Sequence, residues 1–162
     1  MSLTKSLIAE IEHESAGTRK ILERIPQDKF DWKPHPKSNS LKALASHVAG
    51  LSSWPGVIAK TDHLDLASLK GAEINSTEDL VKEFDNNIKQ ALDTLRNTKD
   101  EELSGKWSLR KGDHVIAELP KAVAMRSIAL SHLYHHRAQL SVYLRLLDVP
   151  VPGMYGPSAD EK

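Results

Sequence analysis

The residues best suited to chemistry are crowded into one stretch, Ser131-His132-Leu133-Tyr134-His135-His136-Arg137-Ala138-Gln139-Leu140, which holds three of the eight histidines within five positions. His132 and His136 are four apart. On a helix, positions i and i+4 lie one above the other, so both rings can reach a common point and share a divalent metal. The competing use of such a pair is structural, as two core histidines satisfied by backbone or carboxylate partners. His135 lies about 60° around the helix from His132 and about 100° from His136, so it flanks the pair. Two ligands do not complete a site. A third must come from another part of the chain.

Other site chemistries can be tested against the letters. There is no cysteine, which leaves His, Asp, Glu or water as metal ligands and requires any thiol to come from outside. A di-iron carboxylate bundle needs glutamates on all four helices and Glu-x-x-His on two. Here Glu10-x-x-His13 occurs once, and the last helical run has no acidic residue before Asp148. A His-Glu-x-x-His metalloprotease helix fails because Gly17 stands where the second histidine belongs, and no Gly-x-Ser-x-Gly elbow is present. His13, His35, His63 and His114 are expected at the surface, in loops or as caps.

The elements that must position the pair follow from periodicity and punctuation. Leu7, Ile11, Thr18, Ile21, Leu22 and Ile25 share a stripe that predicts a first helix, ended by Pro26. Gln27 to Ser40 reads as a proline-containing loop closing in a helix cap. Leu41, Leu44, Val48, Leu51 and Ile58 predict a second helix, ended or kinked at Pro55, with His47 on the edge of its apolar stripe. Thr61 to Asn75 reads as a loop with at most a turn of helix. Ser76-Thr77-Glu78-Asp79 starts a third helix that carries Leu80, Phe84, Ile88, Ala91, Leu92 and Leu95. Lys111-Gly112-Asp113, between two short apolar runs, predicts a hairpin within Glu101 to Leu119. Pro120 opens a fourth helix to about Leu147. Along it Met125, Ala129, His132, His136, Gln139, Tyr143 and Leu146 form an inward seam. The tail from Val149 to Pro157 is expected to lie extended over the bundle. The whole reads as an all-α four-helix bundle, with a short β-hairpin before the last helix, in one domain over residues 1–162.

An apolar fraction of 40% with 27% charged residues is that of an ordinary soluble protein. Lysine plus arginine and aspartate plus glutamate both number 22, so no excess charge draws the chain to nucleic acid or an anionic membrane. No stretch reaches the ~18 apolar residues of a membrane span, and Met1 to Ala9 does not read as a signal peptide, which makes the cytoplasm the expected location.

Four stretches together resemble the DinB-like family of damage-inducible helical bundles: Trp32 to Ser38, the His47-Val48-Ala49 helix, His132 to Arg145, and Pro152 to Glu161. The resemblance implies a four-helix bundle that binds a divalent metal through one histidine of the second helix and two of the fourth. The matching positions are His47, His132 and His136. Arg137 and Gln139 match the motif as well, as an ion pair, a loop anchor or participants in catalysis. No residue is assigned to catalysis, and His135 is left without a role. Trp32, Trp54 and Trp107 are placed in core or lid packing, with the mouth of the site as the alternative.

Three neutral imidazoles leave a divalent metal with open positions, which is the catalytic rather than the structural pattern. The donors suit zinc, nickel, iron or copper, and manganese where waters complete the shell. Such a centre either activates water for hydrolysis or activates a low-molecular-weight thiol. The resemblance favours a metal-dependent thiol S-transferase acting on a small-molecule electrophile, in a homodimer. The contrasting expectation is a non-catalytic, stress-related binding module in which metal only stabilises the bundle.

Overall fold

The computed structural model describes residues 2–161, and in it the first helix begins where Ser2 caps the chain. α1 runs Leu3–Glu23 and buries Leu7, Ile11, Thr18, Ile21 and Leu22, the stripe expected from the sequence. Its N-terminus is held by a residue almost a hundred positions away. Asp100 accepts from the Leu3 N–H at 2.8 Å, the Thr4 N–H at 2.9 Å and the Thr4 hydroxyl at 2.7 Å, satisfying orphan donors of the first turn.

α2 spans Leu41–Leu51 and is capped by Ser40, whose hydroxyl accepts from the Ala43 N–H. It ends before Pro55 rather than bending through it, and a separate α3 covers Trp54–Lys60. The reason is local. Proline has no N–H to continue the ladder, and the Ser52 and Ser53 hydroxyls donate to the Ala49 and Gly50 carbonyls at 2.6 and 2.8 Å. α4, Thr77–Arg96, is capped by the Ser76 hydroxyl and buries Leu80, Phe84, Ala91, Leu92 and Leu95. Each buried leucine or phenylalanine contributes roughly 1.5–3 kcal/mol of transfer free energy, which is why α4 serves as a backing for α1, α2 and α3.

The expected hairpin is present as β2, Lys106–Lys111, and β3, His114–Pro120, paired antiparallel about a turn in which Gly112 has φ +59°, a conformation that favours glycine. A third strand was not expected. β1, His63–Asp65, pairs parallel with β2, His63 opposite Ser108. The protein is therefore not purely all-α. It is a helical bundle with a small three-stranded sheet. Three residues are too few to show an alternating pattern, and β1 is held in part by its Asp65 carboxylate, which accepts from the Gly112 N–H of the hairpin turn at 2.9 Å.

The last helical rod is continuous from Lys121 but not uniform: α5 is Lys121–Ala124, a π-helical segment covers Met125–Leu130, and α6 is Ser131–Leu146. This changes the seam. A π turn takes an extra residue, so the buried line proceeds from Met125 and Ala129 to Leu133, Arg137, Leu140 and Leu144. His132, His136, Gln139 and Tyr143 move to the half-buried edge of the rod, and Leu146, expected inward, is 58% exposed. The tail lies over the bundle as expected: Pro150 accepts from Arg24, Pro152 is buried, and Met154 packs close to Gly17 on α1.

Candidate metal centre

α2 packs against α6, and this contact brings the edge of one apolar stripe to the edge of the other. His47 therefore meets His132 and His136. The Nε2 atoms of His47 and His132 are 3.3 Å apart, and those of His132 and His136 are 2.9 Å apart. The three ring centroids are separated by 5.0, 4.8 and 4.7 Å. The structure thus brings together all three residues singled out in the sequence, and the group could hold a metal ion.

The donor set fits a divalent cation. Two imidazole nitrogens bound tetrahedrally at 2.0–2.1 Å lie about 3.3 Å apart, and a right-angled pair lies about 2.9 Å apart. Gln139 fixes the tautomer of one ring. Its Oε1 accepts from His136 Nδ1–H at 2.7 Å, which leaves His136 Nε2 as a lone pair facing the other two rings. Burial above all, and then the His136 and His132 rings, lower the His47 pKa to about 4. The His132 pKa is lowered too, by burial and by His136, with the Ile128 carbonyl opposing. Ring nitrogens that turn lone pairs toward one point repel one another, and a cation at that point removes the repulsion.

The centre opens onto a cavity of about 660 Å³. His47 and His132 stand in its wall beside Trp54, whose ring meets His132 edge-on at 6.0 Å. Leu51, Leu66, Ile74, Leu109 and Ile128 make the lining largely apolar. The π segment contributes directly, since Ser127 and Ile128 line the cavity one turn before His132. π turns of this kind recur at functional sites because they re-aim the residues that follow.

The remaining sequence candidates separate cleanly. His135 is exposed and outside the triad, its Nε2 accepting from the Gln139 amide at 3.0 Å. Arg137 points away from the centre. It is 4% exposed, pairs with Glu14 at 2.7 Å, and donates to the Tyr155 hydroxyl at 2.7 Å, so it ties α6 to α1 and to the tail. Of the tryptophans, Trp107 is core, Trp32 packs edge-on to Tyr143 at 5.6 Å, and Trp54 alone reaches the cavity. His13, His35, His63 and His114 are exposed. Sequence reasoning missed two cavity residues, Glu83 and Asn87. They sit on α4 off its apolar stripe, where polar residues read as solvated.

The DinB family model matches residues 1–162. The chain belongs to the DinB family. Among solved structures, a DinB-like protein from Bacillus cereus ATCC 10987 is 18% identical with a TM-score of 0.73, over 93% of this chain and 97% of that one. A DinB-like protein from Bacillus subtilis is 16% identical with a TM-score of 0.69, over 97% and 98%. At these identities the likeness is one of DinB fold. Among proteins of curated function, none matches this sequence. No helix among the described residues is long and apolar enough to cross a membrane.

Proposed function

We propose that His47, His132 and His136 ligate a divalent metal and that the protein is a metal-dependent transferase joining a low-molecular-weight thiol to a small electrophile. The observation that carries this reading is the convergence of three Nε2 atoms, 3.3 and 2.9 Å apart, two of whose residues, His47 and His132, stand in the wall of a largely apolar cavity. A zinc, nickel, iron or manganese ion held there supplies a Lewis-acid centre with open positions, at which a thiol loses its proton more readily. His136 is kept in the ligating tautomer by Gln139, and His47 and His132 are kept neutral by burial. Trp54 and the leucine and isoleucine side chains of the wall exclude water and receive the apolar part of an electrophile. The absence of cysteine from the chain removes an internal thiol that would compete. The same reading takes residues 1–162 as one domain of a cytoplasmic homodimer that acts on a small molecule rather than on nucleic acid or a membrane. Its mass in solution tests the dimer.

The deciding experiment measures metal per chain in the protein and in the His132→Ala, His136→Ala double variant, then follows conjugation of electrophiles to a panel of small thiols beside ester and amide hydrolysis. Metal bound by the protein and lost by the variant, with thiol conjugation that needs the metal, is expected. Equal metal in both removes the site. Metal-dependent hydrolysis without conjugation replaces the transferase by a hydrolase, and metal without turnover leaves a binding module.

A further inference from the structure

The cavity beside the histidines has a second polar feature, set on α4. Asn87 donates both of its amide hydrogen bonds within the wall, to the Ala49 carbonyl at 3.0 Å and to Glu83 Oε1 at 2.9 Å. Its donors are therefore spent. What this part of the wall can still offer a ligand is acceptors only: the carbonyl oxygen of Asn87 and the free lone pairs of the Glu83 carboxylate. Glu83 is half-buried and forms no ion pair among the described residues. The pair is close to the metal centre in the fold, because the carbonyl that anchors Asn87 belongs to Ala49, two residues after His47 on α2.

A carboxylate held in position, without a cation and facing a largely apolar cavity, is a recognition element for a positively charged donor. We infer that Glu83 and Asn87 form the specificity end of the cavity, receiving a protonated amine on an otherwise apolar small molecule whose reacting group lies toward the histidines. An ammonium presents three N–H donors and a full positive charge to this acceptor-only part of the wall, whereas a carboxylate is repelled and a hydroxyl brings a single donor and no charge of its own. Lys70, on the loop that forms the outer wall, is the one lysine or arginine lining this cavity, and it is exposed, with its ammonium free to remain in water. The substrate class is thus an amine-bearing, largely apolar compound. The assignment rests on the reading of this cavity as the substrate site and deepens it.

The test uses the purified protein near neutral pH and three probes of equal length, hexylammonium, 1-hexanol and hexanoate, titrated calorimetrically. Hexylammonium is expected to bind about tenfold more tightly than 1-hexanol, as an ion pair with three donors replaces a single hydrogen bond from an uncharged hydroxyl, with hexanoate weakest. Glu83→Gln, which keeps an oxygen to accept from Asn87, is expected to close the gap between hexylammonium and 1-hexanol without lowering the melting temperature. The inference is overturned if the alcohol or the carboxylate binds as well as the ammonium, or if Glu83→Gln keeps the gap. Metal content and probe preference together separate the two readings. A preference for hexylammonium in a parent protein that binds no metal leaves the amine assignment standing and refutes the metal centre; metal in the parent that the His132→Ala, His136→Ala variant loses, with no preference among the probes, does the reverse.

Discussion

Gln139 Oε1 and His136 Nδ1 are 2.7 Å apart, and the three-residue spacing between them on α6 is what lets one side chain of the motif orient another. Gln139 also donates to His135 at 3.0 Å, which fixes the direction of its amide. Replacing Gln139 by alanine frees the His136 ring to rotate and to move its proton onto Nε2. Loss of such an orienting partner typically costs 10–100-fold in metal affinity. A competition titration against a chelator of known affinity is expected to find about that loss. An unchanged affinity would mean that packing alone aligns His136.

The low His47 pKa sets a pH dependence with a definite sign. In the unfolded chain a histidine takes up a proton below about 6.5. In the folded, metal-free protein His47 does so only near 4. Between these values the unfolded state binds a proton that the folded state refuses, so stability is full above about pH 6.5 and falls as the pH is lowered toward 4. The shift of His132 acts in the same direction. Urea unfolding of metal-stripped protein between pH 7.5 and 4.5 is expected to show this decline, and His47→Gln to flatten it. A slope that His47→Gln leaves untouched would place the proton uptake elsewhere.

The helices were legible because Leu7, Ile11 and Ile21, or Leu80, Phe84 and Leu95, recur at helical spacing and end at Pro26 or begin at Ser76. The pairing of His132 with His136 was legible for the same reason, since i and i+4 converge on any helix. Two features were not. The shift of the last helix's buried line onto Leu133 and Arg137 depends on one extra residue per turn in Met125–Leu130, a segment without glycine, proline or any other letter that marks a π turn. β1 depends on pairing His63–Asp65 with a strand more than forty residues away in sequence, and nothing local predicts it. The proximity of His47 to the other two histidines is likewise a tertiary fact. Its place on the edge of a stripe was visible, but only the resemblance singled it out as a partner.

Arg137 is the strongest structural contact of the motif. Its side chain is 5% exposed, and the Glu14 side chain it meets is 14% exposed. It also donates to the Thr18 hydroxyl at 3.1 Å and lies over the Tyr134 ring at 5.1 Å. Arg137→Ala leaves the partly buried Glu14 carboxylate with only the Tyr155 hydroxyl as a donor, a loss expected to fall at or below the roughly 3–5 kcal/mol of a fully buried pair. Chemical unfolding is expected to register most of that loss. The fraction that remains folded is expected to bind metal at the original stoichiometry, because the histidines are untouched. Loss of metal at constant stability would instead give Arg137 a part in the centre.

Asp100 makes a prediction of opposite character, one about where the chain is tied. Hydrogen bonds from the Thr4 and Leu3 backbone amides and the Thr4 and Ser2 hydroxyls hold its carboxyl well below the usual carboxylate range. Its negative charge also meets the positive end of the α1 dipole. The contribution is therefore fully present above the unfolded pKa of about 3.9 and is lost only as the pH falls further, through the folded value. Asp100→Asn keeps one acceptor oxygen but removes the charge and the second acceptor. Its melting temperature is expected to lie below that of the parent by a constant margin from pH 7 to about pH 4, and the two curves to approach each other in stronger acid. Amide hydrogen exchange should locate the loss, with faster exchange at Leu3 and Thr4 and unchanged protection in α4. A uniform acceleration across all helices would show that this capping carboxylate governs the whole bundle rather than the end of α1.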